Sequence, residues 1–157
     1  MKRAGISVVL LFLVFSPAFG GDRKPVKPAQ KEKCPVCGMF VAKYPDFVAE
    51  IIFKDGSYAV FDGVKDMMKY YFSIGNYVAS KSRKDIDSLY VTDYYNLSPI
   101  DGYSAWYVTG SNVYGPMGKE LIPFEKERDA REFRKDHKGK AVLGFKDITT
   151  DTLKELE

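Results

Sequence analysis

At 157 residues with 45% hydrophobic content, the chain has room for one globular domain or two small lobes sharing a core. Its formal charge of +3 is not spread evenly: Lys2 and Arg3 belong to a leader, and the remainder carries 22 Lys or Arg against 21 Asp or Glu, about +1. No basic stripe interleaved with aromatics stands out, so nucleic acid is not an expected partner.

The first twenty residues, "MKRAGISVVLLFLVFSPAFG", join a basic start to an apolar run from Val8 to Phe15, then Pro17 and small residues. That is the layout of a secretory signal, and the run is too short to span a bilayer. Cleavage is expected after Gly20. No cysteine follows the run, so lipid attachment is not expected and the exported product reads as soluble and periplasmic. "GDRKPVKPAQKEK" (21–33) is Lys- and Pro-rich, a disordered linker on composition. Ordered structure is expected from Cys34.

"KCPVCGMF" (33–40) holds both cysteines of the chain. In an oxidising compartment two cysteines ordinarily pair. A bridge across two intervening residues constrains almost no chain, however. Zinc would need a second pair of Cys or His ligands, and the only histidine is His137. A redox dithiol fits the spacing, but such a pair normally opens a helix after a strand. "MFVAKYPDF" has no helical period. The remaining reading is a soft metal. If the segment is extended, Cys37 and Met39 project to the same side across Gly38, and thiolate with thioether selects Cu(I). The bland alternative for Met39 is a gap-filling core residue.

Phe47 to Phe53 alternates as a strand, Asp55-Gly56 turns it, and "SYAVF" (57–61) returns. Asp62-Gly63 opens a helix with Val64, Met67, Met68 and Tyr71 on one stripe, ended by Gly75. Met67 and Met68 are therefore core. "SLYVTDY" (88–94) is the next strand. The plan then repeats: strands at 103–109 and 119–124, a helix from Glu127 to His137 with Ala130 and Phe133 inward, and a strand at 141–145. At an offset of 63, Phe61 matches Phe124, Asp66 matches Asp129, Met67 matches Ala130 and Tyr70 matches Phe133. The expected fold is α+β, two tandem ββαβ lobes with small antiparallel sheets, spanning about 34–98 and 101–150, with 151–157 as a tail.

One difference between the lobes is informative. The first hairpin turns in about three residues, but the second spends about nine on "GSNVYGPMG", more than a connection needs. Met117 sits there between Pro116 and Gly118, on no helical or strand stripe, free to hold a thioether toward a site or to plug the interface between lobes. His137, at the end of the second helix, reads as a carbonyl cap or a metal ligand. No Ser-His-acid relay, phosphate loop or paired-carboxylate motif stands out.

With "CPVCGM", "AVFDGVKDMMKYY", "SAWYVTGS" and "GPMGKELIPF" in view, the chain resembles the NosL family, accessory proteins of nitrous-oxide reductase maturation, from about Cys34 to Ile148. The resemblance implies a non-enzymatic metallochaperone that binds Cu(I) through Cys34, Cys37, Met39 and Met117. It implies periplasmic copper donors and recipients as partners, nitrous-oxide reductase and its assembly machinery among them. Two other classes stay open on the residues: a thiol-disulfide oxidoreductase using the cysteine pair, and a docking module without metal.

Overall fold

The structure is a computed structural model and describes residues 23–157; the leader expected over 1–20 lies outside the described residues. Two ββαβ units follow one another, as the repeat anticipates. In the first, β1 (Ala49–Phe53) is central, flanked by β2 (Tyr58–Phe61) and β3 (Ile86–Thr92), with a short β4 (Pro99–Asp101) on the far edge of β3. Helix α1 (Val64–Phe72) covers it, and a short α2 (Ile74–Tyr77) follows. In the second, β5 (Trp106–Thr109) is central between β8 (Ile122–Phe124) and β9 (Ala141–Gly144), and α3 (Glu127–Asp136) covers it. The registers correspond: Phe61 pairs with Ala49, which pairs with Val91, while Phe124 pairs with Trp106, which pairs with Gly144.

One core serves both units. On β5, Tyr107 joins the large core that includes Ile51, Phe61, Met67, Met68 and Leu89, whereas its neighbour Val108 packs under Ala130 and Phe133 of α3. Adjacent strand residues point to opposite faces, so the second sheet is buried on both. Met67 and Met68 are fully buried, as the helical stripe requires.

Several boundaries differ from the sequence reading: the strands expected from 47, 103 and 119 begin at Ala49, Trp106 and Ile122. Helix α1 stops at Phe72, and Gly75 lies inside α2 instead of ending the first helix. The strand expected at 88–94 ends at Thr92, because the Asp93 carboxylate turns back to accept the amides of Tyr95, Asn96 and Glu125. The long loop after β5 folds on itself into a two-residue ladder, β6 (Tyr114–Gly115) with β7 (Gly118–Lys119), around Pro116 and Met117. Gly118 has φ +86, the left-handed conformation that closes such a turn. Residues 150–154 form a further helix, α4, which packs on α1 and buries Leu153, with Leu156 buried just beyond it.

The segment read as a disordered linker is docked from Arg23 onward. The Arg23 carbonyl accepts from the Tyr90 hydroxyl at 2.7 Å, and its guanidinium donates to the Lys54 carbonyl. The Val26 amide donates to the Glu50 carboxylate at 2.7 Å. Prolines and lysines leave few apolar atoms to signal order, but here hydrogen bonds to the sheet's outer face hold an extended strap. Glu50 is buried beneath it, and burial pushes its pKa up to about 7 despite the amide. The folded state therefore holds a proton that the unfolded chain releases. This contribution is fully present below about pH 4.5 and is lost as pH rises through 7. Glu50→Gln is expected to flatten the fall in stability between pH 5 and pH 8 by on the order of 2–3 kcal/mol. Urea unfolding at both pH values checks this, and identical slopes in variant and parent would refute it.

Candidate metal site

Residues 33–40 form a tight knuckle. Lys33 and Phe40 bridge as a minimal antiparallel pair, the Cys34 amide donates to the Met39 carbonyl at 2.9 Å, and the Gly38 amide donates to the Cys34 carbonyl at 2.9 Å. Gly38 takes φ +79, a conformation available to glycine without strain. The segment is therefore not extended at this point. The alternation invoked to align Cys37 with Met39 does not apply; the turn sets their placement instead. Both cysteines are free thiols, Cys34 fully buried and Cys37 partly exposed.

The knuckle faces the start of α1. Cys37 Sγ donates to Asp62 Oδ1 at 3.1 Å, and Cys34 Sγ lies 3.6 Å from Asp66 Oδ2. Both aspartates are buried. One donor atom from each of the four residues falls within 4.8 Å of all the others. Ligands at about 2.3 Å from a tetrahedral ion stand roughly 3.7 Å apart, so this set closes on one ion with small side-chain shifts. Asp62 Oδ2 is buried and has no hydrogen-bond partner. An orphaned buried carboxylate oxygen beside two thiols is an unmet demand for positive charge.

The aspartates were missed as site residues: the sequence reading found no paired carboxylates, and that is corrected here. The signal was their placement around one helix start, Asp62 just before the Gly63 cap and Asp66 in the first turn. The second lobe has the same placement at Glu125 and Asp129, but there Glu125 is exposed and Asp129 pairs with its neighbour Arg128. Only the first copy meets a cysteine knuckle.

Burial is the main cause that raises both thiol pKa values, Cys34 to about 11 and Cys37 further, and hydrogen bonding to carboxylate acts in the same direction. Both thiols thus hold their protons at neutral pH. A redox dithiol works as a thiolate. This pair, in a knuckle and not at a helix start, is built the other way.

Met39 is half-buried, with its carbonyl closing the knuckle. Met117 is 46% exposed at the tip of the β6–β7 hairpin. Its carbonyl accepts from Lys65 Nζ at 2.7 Å, and Lys65 lies between Asp62 and Asp66 on the chain. The same ammonium reaches the Leu156 carbonyl at 3.4 Å. Glu120, fully buried, caps the helix from outside: its Oε1 accepts the amides of Lys65 at 2.6 Å and of Leu121 at 2.8 Å. The methionine hairpin is therefore tied to the helix start beside which both carboxylates stand. His137 is not part of this cluster. It ends α3, stacks on Phe133 at 4.2 Å, and its Nδ1 meets Asn112 Oδ1.

Residues 25–153 match the NosL family. The chain belongs to the NosL family. It is 30% identical to the copper-binding lipoprotein NosL of Stutzerimonas stutzeri in an alignment covering 99% of this chain and 86% of that protein. Its fold matches the crystal structure of the copper chaperone NosL from Shewanella denitrificans with a TM-score of 0.69. That match has 23% identity and covers 82% of this chain and 97% of that one. The mixed α+β architecture with small antiparallel sheets is thus a NosL fold. Among the described residues no helix is long and apolar enough to cross a membrane.

Proposed function

We propose that this NosL-family chain carries Cu(I) as cargo, held by the thiolates of Cys34 and Cys37 with the thioethers of Met39 and Met117, and passes it to a copper enzyme outside the cytoplasm. The observation that carries the reading is the convergence of two free thiols on two buried carboxylates, one of them with an unsatisfied oxygen. Sulfur donors select a soft monovalent ion, and the carboxylates supply charge and orientation around it. Loading displaces both thiol protons, and the cation then offsets the negative charge left behind. A partly exposed Cys37 and an exposed Met117 leave ligands accessible to a recipient, so cargo moves by stepwise ligand exchange without a catalytic step. The signal-like layout of residues 1–20 supports export to the periplasm. The family kinship points to nitrous-oxide reductase and its assembly partners as recipients.

An anaerobic titration of Cu(I) against a competing chelator tests the site. Met39→Ala and Met117→Ala are each expected to weaken Cu(I) binding about tenfold, as loss of one weak neutral ligand costs about 1.4 kcal/mol. Parent-like affinity in both variants would remove the thioethers from the ligand set.

A further inference from the structure

The strap and knuckle gather positive charge that the overall composition conceals. Residues 23–43 contain six Lys or Arg and a single acid, Glu32, whereas residues 44–157 have more acids than bases. The strap crosses the outer face of the first sheet, from Tyr90 of β3 past Glu50 of β1 toward Tyr58 of β2. Along it Lys24, Lys27 and Lys31 are exposed, and it runs directly into Lys33 of the knuckle. None of these four, nor Lys43, is in an ion pair among the described residues.

Two of the cations frame an aromatic ring. The Lys33 and Lys43 ammonium groups lie 5.2 and 5.5 Å from the centre of the exposed Phe40 ring, one residue beyond Met39. Lys33 and Pro35 also line a cavity of about 310 Å³ between the knuckle, β2 and α2, walled by Tyr58, Tyr70 and Tyr77, with Glu32 held against Tyr58. Tyr58 and Tyr77 are about 40% exposed. Aromatic recesses within a rim of unpaired charge are how protein interfaces combine anchoring with steering.

We propose that this basic, aromatic face, strap plus knuckle, docks the acidic face of the protein that exchanges metal with Cys37. The inference rests on the copper reading above. Charge complementarity selects the partner: five unpaired ammonium groups along strap and knuckle favour a surface rich in Asp and Glu. The Tyr58–Tyr77 recess takes an apolar side chain of that surface. The knuckle whose Lys33 and Pro35 line the recess also carries Cys37, its one partly exposed thiol. An anionic lipid surface would meet the same lysines but has nothing to place in the recess.

The test uses a fluorescently labelled Asp/Glu-rich peptide with one central Leu, its Asn/Gln counterpart, and vesicles of phosphatidylglycerol in phosphatidylcholine. Each is added to the metal-free, reduced protein at low and high salt. The acidic peptide is expected to bind about tenfold tighter than the amide peptide, with the difference erased at high salt and in the Lys24, Lys27, Lys31, Lys33 and Lys43→Gln variant. Tyr77→Ala should weaken the acidic peptide further at any salt. Equal binding of the two peptides, or lysine-dependent binding to vesicles with none to the acidic peptide, overturns the proposal. Because no copper is present, failure here is separate from failure of the copper site, which the chelator titration reports, and the lysine variant should keep parental Cu(I) affinity.

Discussion

Cys34→Ser and Cys37→Ser are each expected to lower the apparent Cu(I) affinity by about a thousandfold. A full complement of thiolate and imidazole ligands on a structural metal is worth about 10–16 kcal/mol, so one thiolate carries roughly 4 kcal/mol. A hydroxyl supplies no comparable soft donor. Both serine variants should fold, because each hydroxyl keeps a hydrogen bond to its carboxylate and loses little volume. The parent supplies a second readout. Both thiols stay protonated well above neutrality, Cys34 to about 11 and Cys37 higher. Displacing two protons makes affinity rise with pH, close to a hundredfold per unit between pH 6 and pH 8. Each serine variant should show about half that slope on a logarithmic scale. Competition with a chelator across pH measures both quantities, and serine variants that bind like the parent would end the thiolate account.

Glu120→Ala should be the most damaging change outside the ligand set. Its carboxylate is fully buried between Gly63 and Gly115 and satisfies two backbone amides. Truncation orphans both amides and opens a void in the helix start, a loss of about 3–4 kcal/mol. That corresponds to a melting temperature lower by roughly 10 °C for a domain of this size. Gly63→Ala attacks the same contact from the other side. A Cβ there would stand 2.1 Å from Glu120 Oε2, and the two amide bonds leave that carboxylate nowhere to go. Glu120→Gln should be far milder, because burial already raises this carboxyl to about 7 and a neutral side chain of the same shape still accepts a bond. Thermal melts of the three variants check the order, and an alanine variant as stable as the glutamine variant would show the cap to be dispensable.

What the sequence made legible was periodicity and repetition. Alternation gave the strands, the Val64–Met67–Met68 stripe gave the first helix, and the offset of 63 residues gave the second unit with its central strand in the matching place. The fourth member of the stripe shifted, with Tyr70 fully buried against Phe61 and Tyr77 and Tyr71 only partly buried, and a helix, α4, packs on α1 where a tail was expected. Nothing in a short polar ending announces such a helix beyond the capping pair Thr149 and Thr152.

At the site, the cysteines were legible because their spacing is rare, and the aspartates were not, because Asp62-Gly63 reads as a helix opening and Asp66 as an ordinary acid of its first turn. Their role depends on a knuckle nearly thirty residues away folding against them, and no local pattern encodes that approach. The strap was illegible for a related reason. Its order comes from amide and carbonyl groups bound to Glu50, Tyr90 and Lys54, and backbone groups leave no trace in composition.

The opposed faces of β5 carry a last implication. With Tyr107 turned toward one half and Val108 toward the other, neither half can be cut away without laying an oily surface bare. The second unit thus serves as a permanent lining for the core of the first, and a shortened chain that shed it would lose the first as well.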